Sequence, residues 1–134
     1  MPVGSGDSPA VPPALGKKRS AHARGVAAEA AAAALLEGLG FEILARRVRT
    51  KAGEIDLIAR MDDLLVFCEV KVRPDLASAA ESILPRQRRR IAAAAGAYLA
   101  ANPELTSLNA RFDAVLVSTR GALEHLPGAF ECDG

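Results

Sequence analysis

Between Gly53 and Arg73 the chain reads GEIDLIARMDDLLVFCEVKVR, two short apolar runs separated by a break at Met61-Asp62-Asp63. Alternation with a period of two over runs of this length reads as two strands of a hairpin. The alternation predicts Ile55, Leu57 and Ala59 on one face of the first strand, around Asp56. A plain hairpin needs no acid within each strand, yet Asp56 lies in the first and Glu69 in the second. Lys71 follows Glu69 by two residues, so the two side chains share a face. A four-residue turn over Met61–Leu64 sets Asp56 opposite Glu69 and Glu54 opposite Lys71. A three-residue turn would carry Asp56 to the other face, so the chemistry depends on register.

Carboxylates placed side by side repel, and like charges across a sheet destabilise it. Lys71 or a bound divalent cation would offset the repulsion, and Mg²⁺ favours hard oxygen donors of this kind. A lysine beside such a cation can orient a water or neutralise charge developing on a phosphate. An Asp followed a dozen residues later by Glu-x-Lys resembles the signature of the PD-(D/E)xK nucleases. The same short pattern also arises on a solvated hairpin face carrying an ordinary Glu/Lys pair.

The 134 residues suit one domain with a single core. A formal charge of +1 conceals clustering, with basic groups at Lys17–Arg24, Arg46–Lys51 and Arg86–Arg90. Such clusters matter more than the total for binding a polyanion. Cys68 and Cys132 are too few and too far apart for a disulfide framework or a zinc site. With no long apolar run and no signal-peptide pattern, a reducing cytoplasm is the expected setting.

Residues 1–24 read as a flexible tail that becomes basic toward its end, and residues 25–130 as the folded domain. The alanine-rich run Gly25–Leu39 predicts a helix stopped by Gly40, with Val26, Ala33, Leu36 and Gly40 sharing a face with Glu29. Glu29 is then either a third acid aimed at the sheet or a first-turn acid favoured by the helix dipole. Residues 41–48 read as a strand. Arg46, Arg47, Arg49 and Lys51 follow as a solvated loop or as contacts to a phosphodiester.

Asp75–Ser82 reads as a loop, and Pro85 as the first turn of a helix ending near Ala101, with Leu84, Ile91, Ala95 and Tyr98 as its buried stripe. Arg86, Arg89 and Arg90 fall off that stripe, as a nucleic-acid contact or an ordinary charged face, and Gln87 can reach the active face. Residues 112–118 predict a buried strand in which Asp113 anchors a loop or assists the site. Residues 124–126 predict a short closing strand, and His125 by itself makes no ligand set.

The resulting order is αβββαβ, a mixed sheet flanked by helices, as in restriction-endonuclease-like folds. Over Gly25–Phe130 the chain resembles the YraN-like bacterial family, which is assigned to that fold. The resemblance rests on Gly25 and Glu29, Gly40-Phe41, Arg49-Thr50, the Gly53–Ala59 and Val66–Arg73 segments, Pro85-Arg86-Gln87 and Arg111-Phe112-Asp113. It implies a nuclease site of the PD-(D/E)xK type, similar to that of archaeal Holliday-junction resolvases. By position, Asp56, Glu69 and Glu29 would hold Mg²⁺ or Mn²⁺, Lys71 would be the catalytic lysine, and Glu54 a ligand or hydrogen-bonding support.

Arg46, Arg47, Arg49, Lys51, Arg73, Arg86, Arg89 and Arg90 are the expected contacts to DNA, branched or unpaired structures included. Arg47 stands where relatives often carry Asn, Arg86 where they often carry Lys, and residues 75–80 lack a frequent Phe-Gly pair. Paired cuts at a junction would call for a homodimer. Two other readings fit the same residues. One is a non-catalytic nucleic-acid-binding module, and the other a scaffold whose arginine helix contacts a partner protein.

Overall fold

A computed structural model describes residues 17–81 and 85–130, except the side chains of residues 17–24, Arg86 and Phe130. The elements run α1 (Lys17–Gly38), β1 (Glu42–Thr50), β2 (Gly53–Met61), β3 (Leu64–Arg73), α2 (Leu76–Glu81), α3 (Pro85–Ala101), a 3-10 turn (Pro103–Leu105), β4 (Asn109–Ser118) and β5 (Leu123–Phe130). The five strands form one mixed sheet in sequential order. Neighbours are antiparallel except β3 and β4, which run parallel. A parallel pair needs a crossover, and α2 and α3 provide it.

Each sheet face buries its own apolar cluster. Ala28, Ala32, Ala33 and Leu36 of α1 pack on Leu57, Ala59, Val66, Cys68, Val115 and Val117. The other face carries Ile55, Ile58, Leu65, Phe67, Ala114 and Leu116 against Ala79 of α2 and Ile91, Ala94 and Ala95 of α3. Alanines on both helices allow the backbones to approach the sheet closely. The aromatic anchor is Phe67, which meets Tyr98 edge-on at 6.2 Å and stacks on Phe112 at 5.6 Å.

Helix α1 ends as Gly40 predicts. Gly40 adopts a φ of 105°, its amide donates to Glu37 and the Phe41 amide donates to Leu36. These two bonds, together with the burial of Phe41 beside Leu36, make a Schellman stop.

Several boundaries and faces differ from the sequence reading. The first helix begins at Lys17 instead of Gly25. Its buried face is Ala28, Ala32, Ala33 and Leu36, whereas Val26 is 44% exposed; alanine on every side leaves too little contrast to fix the face. The strand read over 41–48 runs on to Thr50, so Arg49 joins Arg46 and Arg47 in β1, paired with β2, and the basic run is not a loop up to that point. Residues 76–81 form α2, not a loop; the Ser78 amide donates to the Asp75 carboxylate at 2.8 Å, an Asx bond that starts the turn. The closing strand is longer than expected, reaching Phe130. Leu84 and residues 1–16 lie outside the described residues.

Candidate active site

The hairpin turn closes with Met61 paired to Leu64, the register that sets Asp56 and Glu69 at the same level. Asp62 takes a φ of 55° in this two-residue loop, a backbone state that Asp tolerates better than most side chains. The β2–β3 ladder runs from that turn to Leu57–Cys68 and stops. One step beyond, the Val70 amide donates to Asp56 Oδ2 at 2.7 Å. A side chain has thus replaced a backbone carbonyl as the partner of β3.

The alternation expected around Asp56 breaks here for the same reason. Ile55 lies in the α3 cluster while Leu57 and Ala59 lie in the α1 cluster. Freed from the ladder, β2 turns at Asp56 and delivers the carboxylate between the two strands instead of onto a face.

Asp56, Glu69, Lys71 and Glu54 line a cleft of about 170 Å³ under Gln87, Arg90 and Ile91 of α3. Lys71 Nζ lies 2.8 Å from Glu69 Oε2, and the two side chains are only 13% and 18% exposed. Among the described residues Asp56 has no cation at salt-bridge distance. Burial, then the charge of Glu69, raises its pKa from 3.8 to about 7; the Val70 amide opposes this, Glu29 adds to it and Lys71 opposes it. The hairpin therefore holds an acid whose ionised form is under-compensated by protein alone.

Other candidate residues divide by position. Glu54 is on the cleft rim, with Arg49 Nε 3.1 Å from its carboxylate, and both are largely exposed. Glu29, on α1, is not among the residues that line the cleft; its charge raises the proton affinity of Asp56, while Arg47 Nε lies 3.5 Å from its carboxylate. Among the described residues no three His, Cys, Asp or Glu side chains gather closely enough to hold an ion. The two-acid set of Asp56 and Glu69 is the closer one.

Arg47 has a φ of 52°, and it falls opposite Asp56 in the register that pairs Arg46 with Leu57 and Val48 with Ile55. Arg46 shares the face of Leu57, the α1 side, away from the cleft. Arg73 is exposed and donates from Nη1 to the Val72 carbonyl at 2.6 Å. Arg89 is exposed on α3, Lys51 is exposed at the β1–β2 turn, and the Arg86 side chain lies outside the described residues.

Two features escaped the sequence reading. The Val70 amide is backbone and carries no residue signal. The second is a buried network away from the cleft, centred on Asp113. Arg111 grips its carboxylate with two bonds at 2.8 and 2.9 Å, His125 Nε2 lies 2.7 Å away, and the Gly128 amide donates at 2.9 Å. Asp113 thus anchors β5, the loop-anchoring alternative. Burial pushes the Cys68 thiol well up, with Asp113, Asp56 and Glu69 adding to it, so it is no ready nucleophile.

The donor set suits a hard divalent cation. It offers carboxylate oxygens, and Asp56 Oδ1 has no hydrogen-bond donor among the described residues. No helix among the described residues is long and apolar enough to cross a membrane.

Residues 28–117 match the family described as Uncharacterised protein family UPF0102. A UPF0102 protein of Azorhizobium caulinodans is 63% identical over 122 residues, spanning 91% of this chain and 93% of its own length. A Rhodopseudomonas palustris UPF0102 protein is 47% identical over 119 residues, 89% of this chain and 92% of the relative. One from Granulibacter bethesdensis is 48% identical over 109 residues, covering 81% and 69%. Matches of this extent reach both acid-bearing strands and α3, and the chain belongs to family UPF0102.

Proposed function

We propose that this protein is a divalent-metal-dependent nuclease that hydrolyses DNA phosphodiester bonds in the cytoplasm, at branched or unpaired structures. One observation carries the reading. The hairpin register and the interrupted ladder bring Asp56, Glu69 and Lys71 into one cleft, where burial and then the charge of Glu69 raise the Asp56 pKa to about 7. A structural ion pair would not need the second acid.

Asp56 and Glu69 would hold Mg²⁺ or Mn²⁺, which supplies Lewis-acid stabilisation of charge on the phosphate. The Val70 amide fixes one oxygen of Asp56 and so fixes the direction of the other. Lys71, held by Glu69 at 2.8 Å, would orient the attacking water by hydrogen bonding. The exposed Arg49 near the end of β1, Lys51 at the β1–β2 turn and Arg89 on α3 would contact the DNA backbone.

Glu29 would act on Asp56 through charge across the sheet edge. Its pairing with Arg47 favours, as a second reading, a module that binds DNA without turnover.

The test is cleavage of supercoiled, linear and four-way-junction DNA in Mg²⁺ or Mn²⁺. EDTA and the variants Asp56→Ala, Glu69→Ala and Lys71→Ala serve as controls. Metal-dependent cutting lost in all three variants is the expected result. Binding without cutting would leave the second reading.

A further inference from the structure

We infer that Arg90 is the phosphate-binding residue of the cleft and that Gly53 exists to position it; this rests on the nucleic-acid reading above. Two cations line the cleft beside Glu54, Asp56 and Glu69. Lys71 is already taken up by Glu69 at 2.8 Å. Arg90 is exposed and, among the described residues, has no carboxylate within salt-bridge distance. An unpaired guanidinium on the wall of an acidic cleft suits a ligand that brings its own negative charge, and its planar fork matches two phosphate oxygens.

The stem of Arg90 lies directly on the backbone of Gly53. A Cβ at Gly53 would come 2.6 Å from Arg90 Cγ and 3.1 Å from Cδ. That clash is with the inner methylenes, so relieving it would swing the whole side chain off the cleft wall. Gly53 also has a φ of 150°, a backbone state that side chains avoid. The first residue of β2 is therefore open both to the β1–β2 turn and to the α3 side chain that crosses it. The contact joins the turn carrying Lys51 to the arginine helix, two basic clusters far apart in sequence.

The inference predicts non-additivity. DNA binding would be titrated against salt in EDTA for wild type, Arg90→Ala, Arg90→Lys, Gly53→Ala and the double variant Gly53→Ala/Arg90→Ala. Arg60→Ala, at the far end of β2, is the control. Loss of one phosphate contact lowers the slope of log K against log salt by about one.

That drop is expected for Arg90→Ala and for Gly53→Ala, with no further drop in the double variant. Arg90→Lys should recover the slope, and Arg60→Ala should not change it. Where the wild type also cuts, Arg90→Ala should lower kcat by ~10²-fold, and Gly53→Ala should cost nothing more in the Arg90→Ala background. An unchanged slope for Arg90→Ala, or a double variant that loses the sum of both, overturns the inference, and Arg90→Ala decides it even if Gly53→Ala fails to fold. A wild type that binds without cutting removes the nuclease reading and leaves the slopes to decide this one. A wild type that binds no DNA overturns both.

Discussion

Asp56 sets the behaviour of the site at the scale of one residue. Its folded pKa of about 7 stands above the ordinary 3.8, so between these values the folded state holds a proton that the unfolded chain has released. Stability from this group is therefore full below about pH 4 and is lost as pH rises through 7. At ~1.4 kcal/mol per unit, the loss is of order a few kcal/mol. In metal-free buffer, Asp56→Asn should raise Tm at pH 8 and leave it nearly unchanged at pH 4. Mg²⁺ should raise Tm for the wild type at pH 8 but not for the variant, as read by thermal denaturation. A wild type indifferent to Mg²⁺ would count against a metal at Asp56. Arg47, across β1 from Asp56, holds a φ of 52°. Arg47→Asn and Arg47→Ala both remove the Glu29 pair, but Asn tolerates the left-handed backbone. The Asn variant should be the more stable by about 1 kcal/mol in urea unfolding. Equal midpoints would mean that the backbone there carries no strain.

Among the elements, β5 is anchored through one buried side chain, Asp113. Its register with β4 shifts between Phe112 and Ala114, and Asp113 fills the irregularity by bonding Gly128, His125 and Arg111. Burial alone would raise the Asp113 pKa, but Arg111, the Gly128 amide and His125 outweigh it and hold the carboxylate below its usual value. The sign is opposite to that of Asp56. This contribution is present above about pH 4 and falls away as pH drops through the folded value. Asp113→Asn should cost ~1–3 kcal/mol and speed hydrogen exchange of the β5 amides before the rest of the sheet. Uniform exchange across all five strands would show that β5 is not separately anchored. The anchoring acid itself was legible, since Asp113 lies in the Arg111-Phe112-Asp113 segment, but its partners were not. His125 is 12 residues away and belongs to no motif. The two-residue turn at Asp62-Asp63 was one of two turn lengths that the spacing of the apolar runs allowed, and the strand register decides it.

Across the whole molecule one sheet serves two cores, and the cleft opens where the shared strands part. Phe67 is fully buried in the α3 cluster and touches residues of α3 and β4. Phe67→Ala should cost ~3–5 kcal/mol while unfolding remains one transition by both far-UV and near-UV circular dichroism. Separated transitions would mean that the faces fold independently. Local chemistry set the hairpin strands, the Gly40 stop and the shared face of Glu69 and Lys71, because each depends on neighbours within a few residues. The mixed αβ order and the family followed from those local signals. Only the tertiary structure decided which face of the alanine helix is buried, since alanine gives no contrast. It alone decided that β2 leaves the ladder at Asp56, that Glu29 meets Arg47, and that Gly53 lies beneath Arg90. Each of those depends on how strands and helices meet in space, and no periodicity within one segment encodes it.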